Sequence, residues 1–331
     1  MKRKPVLIMA LLLAFEVATF GIADSTRESA DKGPETTAES ILKREYELAG
    51  KRTAETHYYA METKVVQFSP DGKRIGVETY RLKLACVPAN QSGKDSDQYT
   101  CRKFTLQKGD APPTTIPVLD GWSYQFKRTE SGLDESGQVF GIDHAKFENL
   151  VDSNNNPLSP DVAYAVYNTF IDFHAFCNVF AERTPQGQGI QNLKTIGQKI
   201  VHDSAFSEPP ISLGSTIAKG SNFKNGEVTL FFKGLSIVDD VSCALVAFDS
   251  GESSFKMVMQ PMPNMEIKVV GGSHYKGDIY IDLASNWVRK VTMGELVVTE
   301  VILPMPPNKI NSVIERSSLI QTVSKEEFLQ N

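Results

Sequence analysis

Residues 227–250 read EVTLFFKGLSIVDDVSCALVAFDS, residues 255–259 FKMVM, and residues 265–303 MEIKVVGGSHYKGDIYIDLASNWVRKVTMGELVVTEVIL. β-Branched, aromatic and aliphatic residues run between short interruptions at Asp239-Asp240, Gly271-Gly272 and Ser285-Asn286. Such pairs form turns, because Gly, Asn and Asp tolerate the left-handed backbone that a tight reversal needs. The pattern predicts an antiparallel meander over 225–304, with strands of about 5–10 residues.

Upstream, the same alternation recurs. Tyr58, Ala60, Val66 and Phe68 define one strand, Ser69-Pro-Asp-Gly72 a turn, and Tyr80, Leu82, Leu84 and Cys86 the returning strand. Further strands are expected at Tyr99–Leu106, at about Val118–Lys127, after Ile196 and at Ile310–Val323. Helical signals are fewer. Thr36 and Glu39 form a capping box for a helix over 36–50, with Ala38, Leu42, Tyr46 and Ala49 on its apolar face, laid across the sheet. Ser159 and Pro160 open a second helix over 160–182. It carries Tyr164, Tyr167, Phe170, Phe173, Phe176 and Phe180, and leaves only a polar stripe through Asp161, Asn168 and Asp172. A helix so apolar needs a cover, and the sheet is the candidate.

At the N-terminus, Lys2, Arg3 and Lys4 precede an apolar run over 6–15, and Gly21-Ile22-Ala23 offers small residues for cleavage. This predicts a secretory signal peptide over 1–23. An uncleaved anchor is disfavoured by Glu16, since a charge in mid-bilayer costs about 2.5–3.5 kcal/mol. No cysteine follows closely enough for lipidation, and no later segment is long and apolar enough to span a bilayer. The expectation is a secreted or periplasmic soluble chain, with a disordered leader at 24–35, one β-rich domain over 36–324 and a polar tail at 325–331. The formal charge of −5 falls further when Lys2, Arg3, Lys4 and Glu16 are removed. Nothing in it favours nucleic acid or anionic headgroups as partners.

Four cysteines in an exported chain suggest two disulfides. Cys86 and Cys101 flank a polar loop between two strands and are expected to pair, which leaves Cys177 with Cys243. His174, three residues from Cys177 and near Asp172, is read as a packed core histidine in preference to a metal or nucleophile site, because Asp172 points away from it. Met257, Met259, Met262 and Met265 are read as packing, with a hydrophobic lip or a Cu(I) site as alternatives. DSGESS (249–254) lacks a nucleophile elbow and is expected to be a hairpin turn, as is Gly271-Gly272-Ser273-His274. The sequence has no HExxH, P-loop or dinucleotide fingerprint. No catalytic residue, metal ligand or cofactor is therefore assigned.

The helix at 36–50, the strands over 56–106, the aromatic helix at 160–182 and the meander over 225–303 together resemble the bacterial outer-membrane lipoprotein-carrier superfamily. That resemblance implies a curved half-barrel sheet whose concave face, closed by helices, shields acyl chains. It transfers no site residue. The fold expected is α+β, an antiparallel, strongly twisted, open or half-barrel sheet packed around the aromatic helix. The leading function is non-enzymatic binding of an apolar, acyl-chain-like ligand between helix and sheet, through Tyr167, Phe170, Phe173 and Met259. A structural or protein-interaction role in the cell envelope comes second, and a hydrolase with a non-local site third.

Overall fold

In the computed structural model the described residues are 38–126, 142–181, 188–202, 206–207, 218–224, 226–262 and 265–330. The predicted signal peptide and leader lie outside them. Residues 1–41 and 42–331 form separate units, and the sheet belongs wholly to the second.

Three strands open that unit: β1 (His57–Phe68), β2 (Arg74–Val87) and β3 (Gln98–Lys108). The turn between the first two forms as its sequence predicts, with the Gly72 amide on the Ser69 carbonyl at 2.9 Å. Two short strands, β4 (Thr114–Thr115) and β5 (Ser123–Gln125), pair with β3. The strand expected at 118–127 is thus reduced to β5. Pro117 favours a 3-10 turn over Pro117–Leu119, where its missing N–H costs nothing. After the long helix come β6 (Lys199–His202), β7 (Phe206–Ser207) and β8 (Asn222–Lys224). The second meander comprises β9 (Val228–Val238), β10 (Val241–Asp249), β11 (Ser253–Met262), β12 (Met265–Asp282) and β13 (Val288–Ile302). The last strand, β14 (Lys309–Thr322), lies between β1 and β13 and joins the two meanders. The pairing path β4-β3-β2-β1-β14-β13-β12-β10-β9-β6 does not close on itself, so the sheet is open, and every pairing along it is antiparallel.

Two expected turns in the second meander are placed differently. β12 runs unbroken through Gly271-Gly272-Ser273-His274. Gly271 is there because a Cβ would stand 2.6 Å from the Phe255 ring and 2.5 Å from the Val298 carbonyl oxygen. The glycine serves close approach inside a strand, not reversal. DSGESS is no hairpin turn either. β10 pairs with the second half of β12 and β11 with the first half, so this loop steps along one edge of a single long strand. The turns at Asp239-Asp240 and Asn286 do form, with φ of 48°, 62° and 62°.

After the short helices α1 (Ala38–Lys43) and α2 (Ala89–Ser92), the long helix, α3 (Pro160–Cys177), starts at Ser159 as read from the sequence and stops before Asn178, after which Val179–Ala181 makes a 3-10 turn. The helix expected over 36–50 spans only Ala38–Lys43 and buries none of its side chains. Beyond it Tyr46 and Leu48 are buried while Arg44, Glu45 and Glu47 are exposed, a period of two that marks extended chain. The Tyr46 amide bonds the Lys194 carbonyl at 2.8 Å, and its ring meets Phe232 edge-on at 5.4 Å. The expected polar tail is a short helix over Lys325–Leu329, capped by Ser324, with Phe328 buried against Tyr58 at 4.8 Å between ring centroids.

Candidate functional site

The inner face of the sheet, the one that meets α3, has two different halves. In the first, the aromatic side of α3 is packed against the sheet. Tyr167, Phe170 and Phe173 are 2%, 0% and 0% exposed. Phe170 stacks on Phe104 at 5.9 Å and meets Trp122 and Phe147 edge-on at 5.6 and 5.3 Å. Phe173 stands edge-on to Tyr59 and Tyr99 at 5.2 and 5.9 Å. Tyr167 meets Phe147 at 5.4 Å. These three predicted ligand contacts are brought together, but they form core, with their surfaces already spent on protein neighbours. Met259 is not with them. It stands half-buried on β11, opposite Ile267.

His174 sits in the same core, wholly buried. Arg52 can only donate, so the Asn178 amide oxygen faces it at 3.0 Å and the amide nitrogen faces His174 Nδ1 at 2.9 Å. That leaves the imidazole proton on Nε2, donating to the Tyr124 hydroxyl at 2.8 Å. Burial pushes the His174 pKa down to about 3. Both ring nitrogens are committed, so this is a structural histidine, in agreement with its sequence reading. Asp172 takes no part in it.

Asp172 instead turns to the sheet, where its carboxylate bonds Arg316 on β14, which in turn donates through Nε to Glu295 on β13 at 2.5 Å. The Asp172, Arg316 and Glu295 side chains are 17%, 22% and 8% exposed. Burial pushes the Asp172 carboxyl up, and the Arg316 guanidinium only partly offsets it. Of the predicted polar stripe, Asp161 is exposed to solvent, whereas Asp172 is turned to the sheet. It anchors α3 to the sheet through a triad of net charge −1. Hydrophobic spacing could not reveal this, because Arg316 lies far along the chain on a different element.

Register places this triad in a belt across the sheet, with Val65, Arg316, Glu295 and Tyr275 side by side. On the α3 side of the belt lie Met61, Ile320, Val291 and Ile279, all buried. On the far side the inner face continues with Ile314, Val297, Val301, Val269, Met257 and Met259, all half-buried. Between them the Thr299 and Ser312 hydroxyls satisfy one another at 2.6 Å. The second half is thus an apolar trough to which α3 contributes nothing beyond Asp172.

The four cysteines are free, buried thiols. Neither expected disulfide is present. Register sets Cys86 opposite Tyr99 and Cys101 opposite Leu84, so the two are diagonal neighbours. Diagonal pairs stand about 7–8 Å apart, beyond the span of a relaxed bridge. Burial pushes the Cys86 thiol up to about 12 and Cys243 to about 11. The methionines do not gather: Met257 and Met259 share the inner face, while Met262 and Met265 pair with each other toward the end of the β11–β12 hairpin. Met257 and Met262 are roughly 16 Å apart along the strand. Among the described residues no group of three or more His, Cys, Asp or Glu could hold a metal ion.

No family model matches the chain, and no curated protein matches it. Solved structures with detectable likeness include a mutant porin of Rh. blastica, at 7% identity and a TM-score of 0.17 over 81% of this chain and all of that one. OmpT of Vibrio cholerae gives 9% and 0.18 over 81% of this chain and 99% of its own. A DUF1329 family protein from Desulfovibrio piger gives 9% and 0.13 over 82% and 90%. At such TM-scores the likeness carries no argument, and no family is assigned.

Proposed function

We propose that this is an exported, non-enzymatic protein that binds an apolar, acyl-chain-like ligand on the inner face of its sheet, beyond the Asp172–Arg316–Glu295 belt. The observation that supports this is the trough itself. Ile314 and Val297 lie on one side of the Thr299–Ser312 pair and Val301, Val269, Met257 and Met259 on the other, and each is left half-buried by the described residues. An extended chain laid along them gains about 25 cal/mol per Å² of apolar surface removed from water. Of the residues first proposed from the sequence, only Met259 belongs to this surface. The aromatic helix instead forms the wall at the belt.

The test is the mass of residues 24–331 under native and denaturing conditions after incubation with palmitate. The expected result is a palmitate-sized adduct on the native protein that is lost in a Val297→Asp, Val301→Asp double variant whose near-UV circular dichroism is unchanged. Equal native and denatured masses for the unaltered chain would remove the proposal. A second reading, a protein-interaction component of the envelope, is supported by the opposite face, where Leu296 and Val298 are 49% and 52% exposed. Loss of a co-purifying protein on Leu296→Ser, Val298→Ser substitution, with palmitate binding absent, favours that reading.

A further inference from the structure

The outer face of the sheet, opposite α3, carries a basin of about 760 Å³ that the apolar trough does not use. That volume falls within the range of small-ligand sites, about 300–1,000 Å³. Register lays it out as two rows. One runs Thr229, Asp249, Lys276, Gly294 and the other Lys199, Phe231, Ala247, Asp278, Thr292. The floor is low, because Ala247 and Gly294 project little or nothing from it.

Two observations point to a ligand. The first is charge. Three lysines and two aspartates line the basin; Asp278 is paired with Lys233 at 3.2 Å, and Asp249 is hydrogen-bonded to His274 at 2.8 Å and stands opposite Lys276, whose charge also acts on it. Among the described residues Lys199 and Lys276 make no ion pair. Lys199 lies over the Phe231 ring at 4.9 Å, and it stands three strand spacings from Lys276, about 14 Å between backbones. Two long cationic side chains thus face each other across a shallow floor. The second observation is Gly294. Its Cβ would meet nothing within 4 Å, and its backbone needs no left-handed conformation. Glycine in mid-strand forfeits packing and chain entropy, so neither packing nor conformation accounts for it. Its counterpart Gly277 is different, since there a Cβ would run into Thr292 and Phe248.

We infer that this basin binds a small, flat organic anion, with its body over Ala247 and Gly294, its acid group reached by Lys199 and Lys276, and the Thr229 and Thr292 hydroxyls at its edge. A compact inorganic ion has no body to lie over Ala247 and Gly294, whereas a body of one ring's length lets the acid group and the floor act together. Binding here is independent of the trough, which lies on the other face.

The experiment is calorimetric titration of the folded chain with phenyl phosphate, with inorganic phosphate and benzyl alcohol as separate probes. The expected result is saturable binding of phenyl phosphate at millimolar concentration or below, and at least tenfold weaker binding of the other two. Lys199→Gln with Lys276→Gln is expected to weaken phenyl phosphate at least tenfold. So is Gly294→Val, which fills the basin while suiting a strand, and its thermal midpoint should be unchanged or higher. The inference is overturned by absence of saturable binding, by equal affinity for inorganic phosphate, or by an affinity that Gly294→Val leaves untouched.

Discussion

Arg316 on β14 donates through Nε to Glu295 on β13 at 2.5 Å, while its Nη1 reaches Asp172 on α3. One guanidinium therefore ties two neighbouring strands to the helix at the line where packed core gives way to the open trough. A buried charge group of this kind is weak evidence for stability as such, but removing one member leaves the others uncompensated.

Arg316→Met is accordingly expected to destabilise the fold by about 3 kcal/mol or more, since it strands two carboxylates. Adding Asp172→Asn and Glu295→Gln to the same chain should restore much of the loss. Urea midpoints of the single and triple variants check this, and a triple variant no more stable than the single one counts against it.

Acid should weaken the protein earlier than carboxylate titration alone would. Burial holds His174 down to about 3 and, together with Arg52, His57 down to about 4, against an ordinary 6.5. The unfolded chain takes up protons at these sites that the folded chain refuses, so stability is full above pH 6.5 and falls as pH drops toward 4. Urea midpoints measured from pH 7.5 to 4 should decline with a slope approaching two protons. His174→Gln should flatten that slope even where it lowers the midpoint.

The thiols offer a sharper readout. All four are buried, and burial raises every one of them above its ordinary pKa. The thiolate is the reactive form, so iodoacetamide at pH 7.5 should label none of them in the folded protein and all four in urea. A denatured mass short by about 2 or 4 Da before labelling would instead show bridges.

Gly277 and Phe173 separate packing from ligand contact. A Cβ at Gly277 would lie 1.8 Å from the Thr292 carbonyl oxygen and 2.8 Å from the Phe248 ring, so Gly277→Ala should cost about 1–3 kcal/mol or more by overpacking. Phe173→Ala should cost about 3–5 kcal/mol. Met259→Ala, on the half-buried trough, should cost less in stability and more in palmitate affinity. Thermal melts and adduct mass on the same samples distinguish these outcomes.

Much of the sheet was legible from sequence, because period-two alternation and positive-φ turn formers act locally. Asp239-Asp240, Asn286 and Gly72 all reverse the chain where they were expected to. The departures have local causes as well. Tyr46 and Leu48 alternate with Glu45 and Glu47, a strand-like period that a capping box at Thr36 overshadowed. Gly271-Gly272 looked like punctuation, but the neighbour that demands Gly271, Phe255, sits on another strand. The site was least legible. Aromatic spacing on α3 reports burial faithfully and says nothing about what buries it. The belt, the trough and the outer basin arise from residues of β1, β6 and β9–β14 that only register brings side by side.

The position of β14 bears on how the molecule comes to exist. It is the last strand in sequence, yet it pairs with β1, the first, along ten residue pairs from Tyr59↔Thr322 to Phe68↔Val313. During synthesis the first meander must wait, with one long edge bare, until roughly 250 further residues have emerged. Closing so large a loop is slow, and contacts this distant in sequence are made late. A bare edge strand is also a template for stray pairing. The unfolded chain is thus open to stray pairing until β14 docks on β1, and an escort that masks β1 until then would act in that interval.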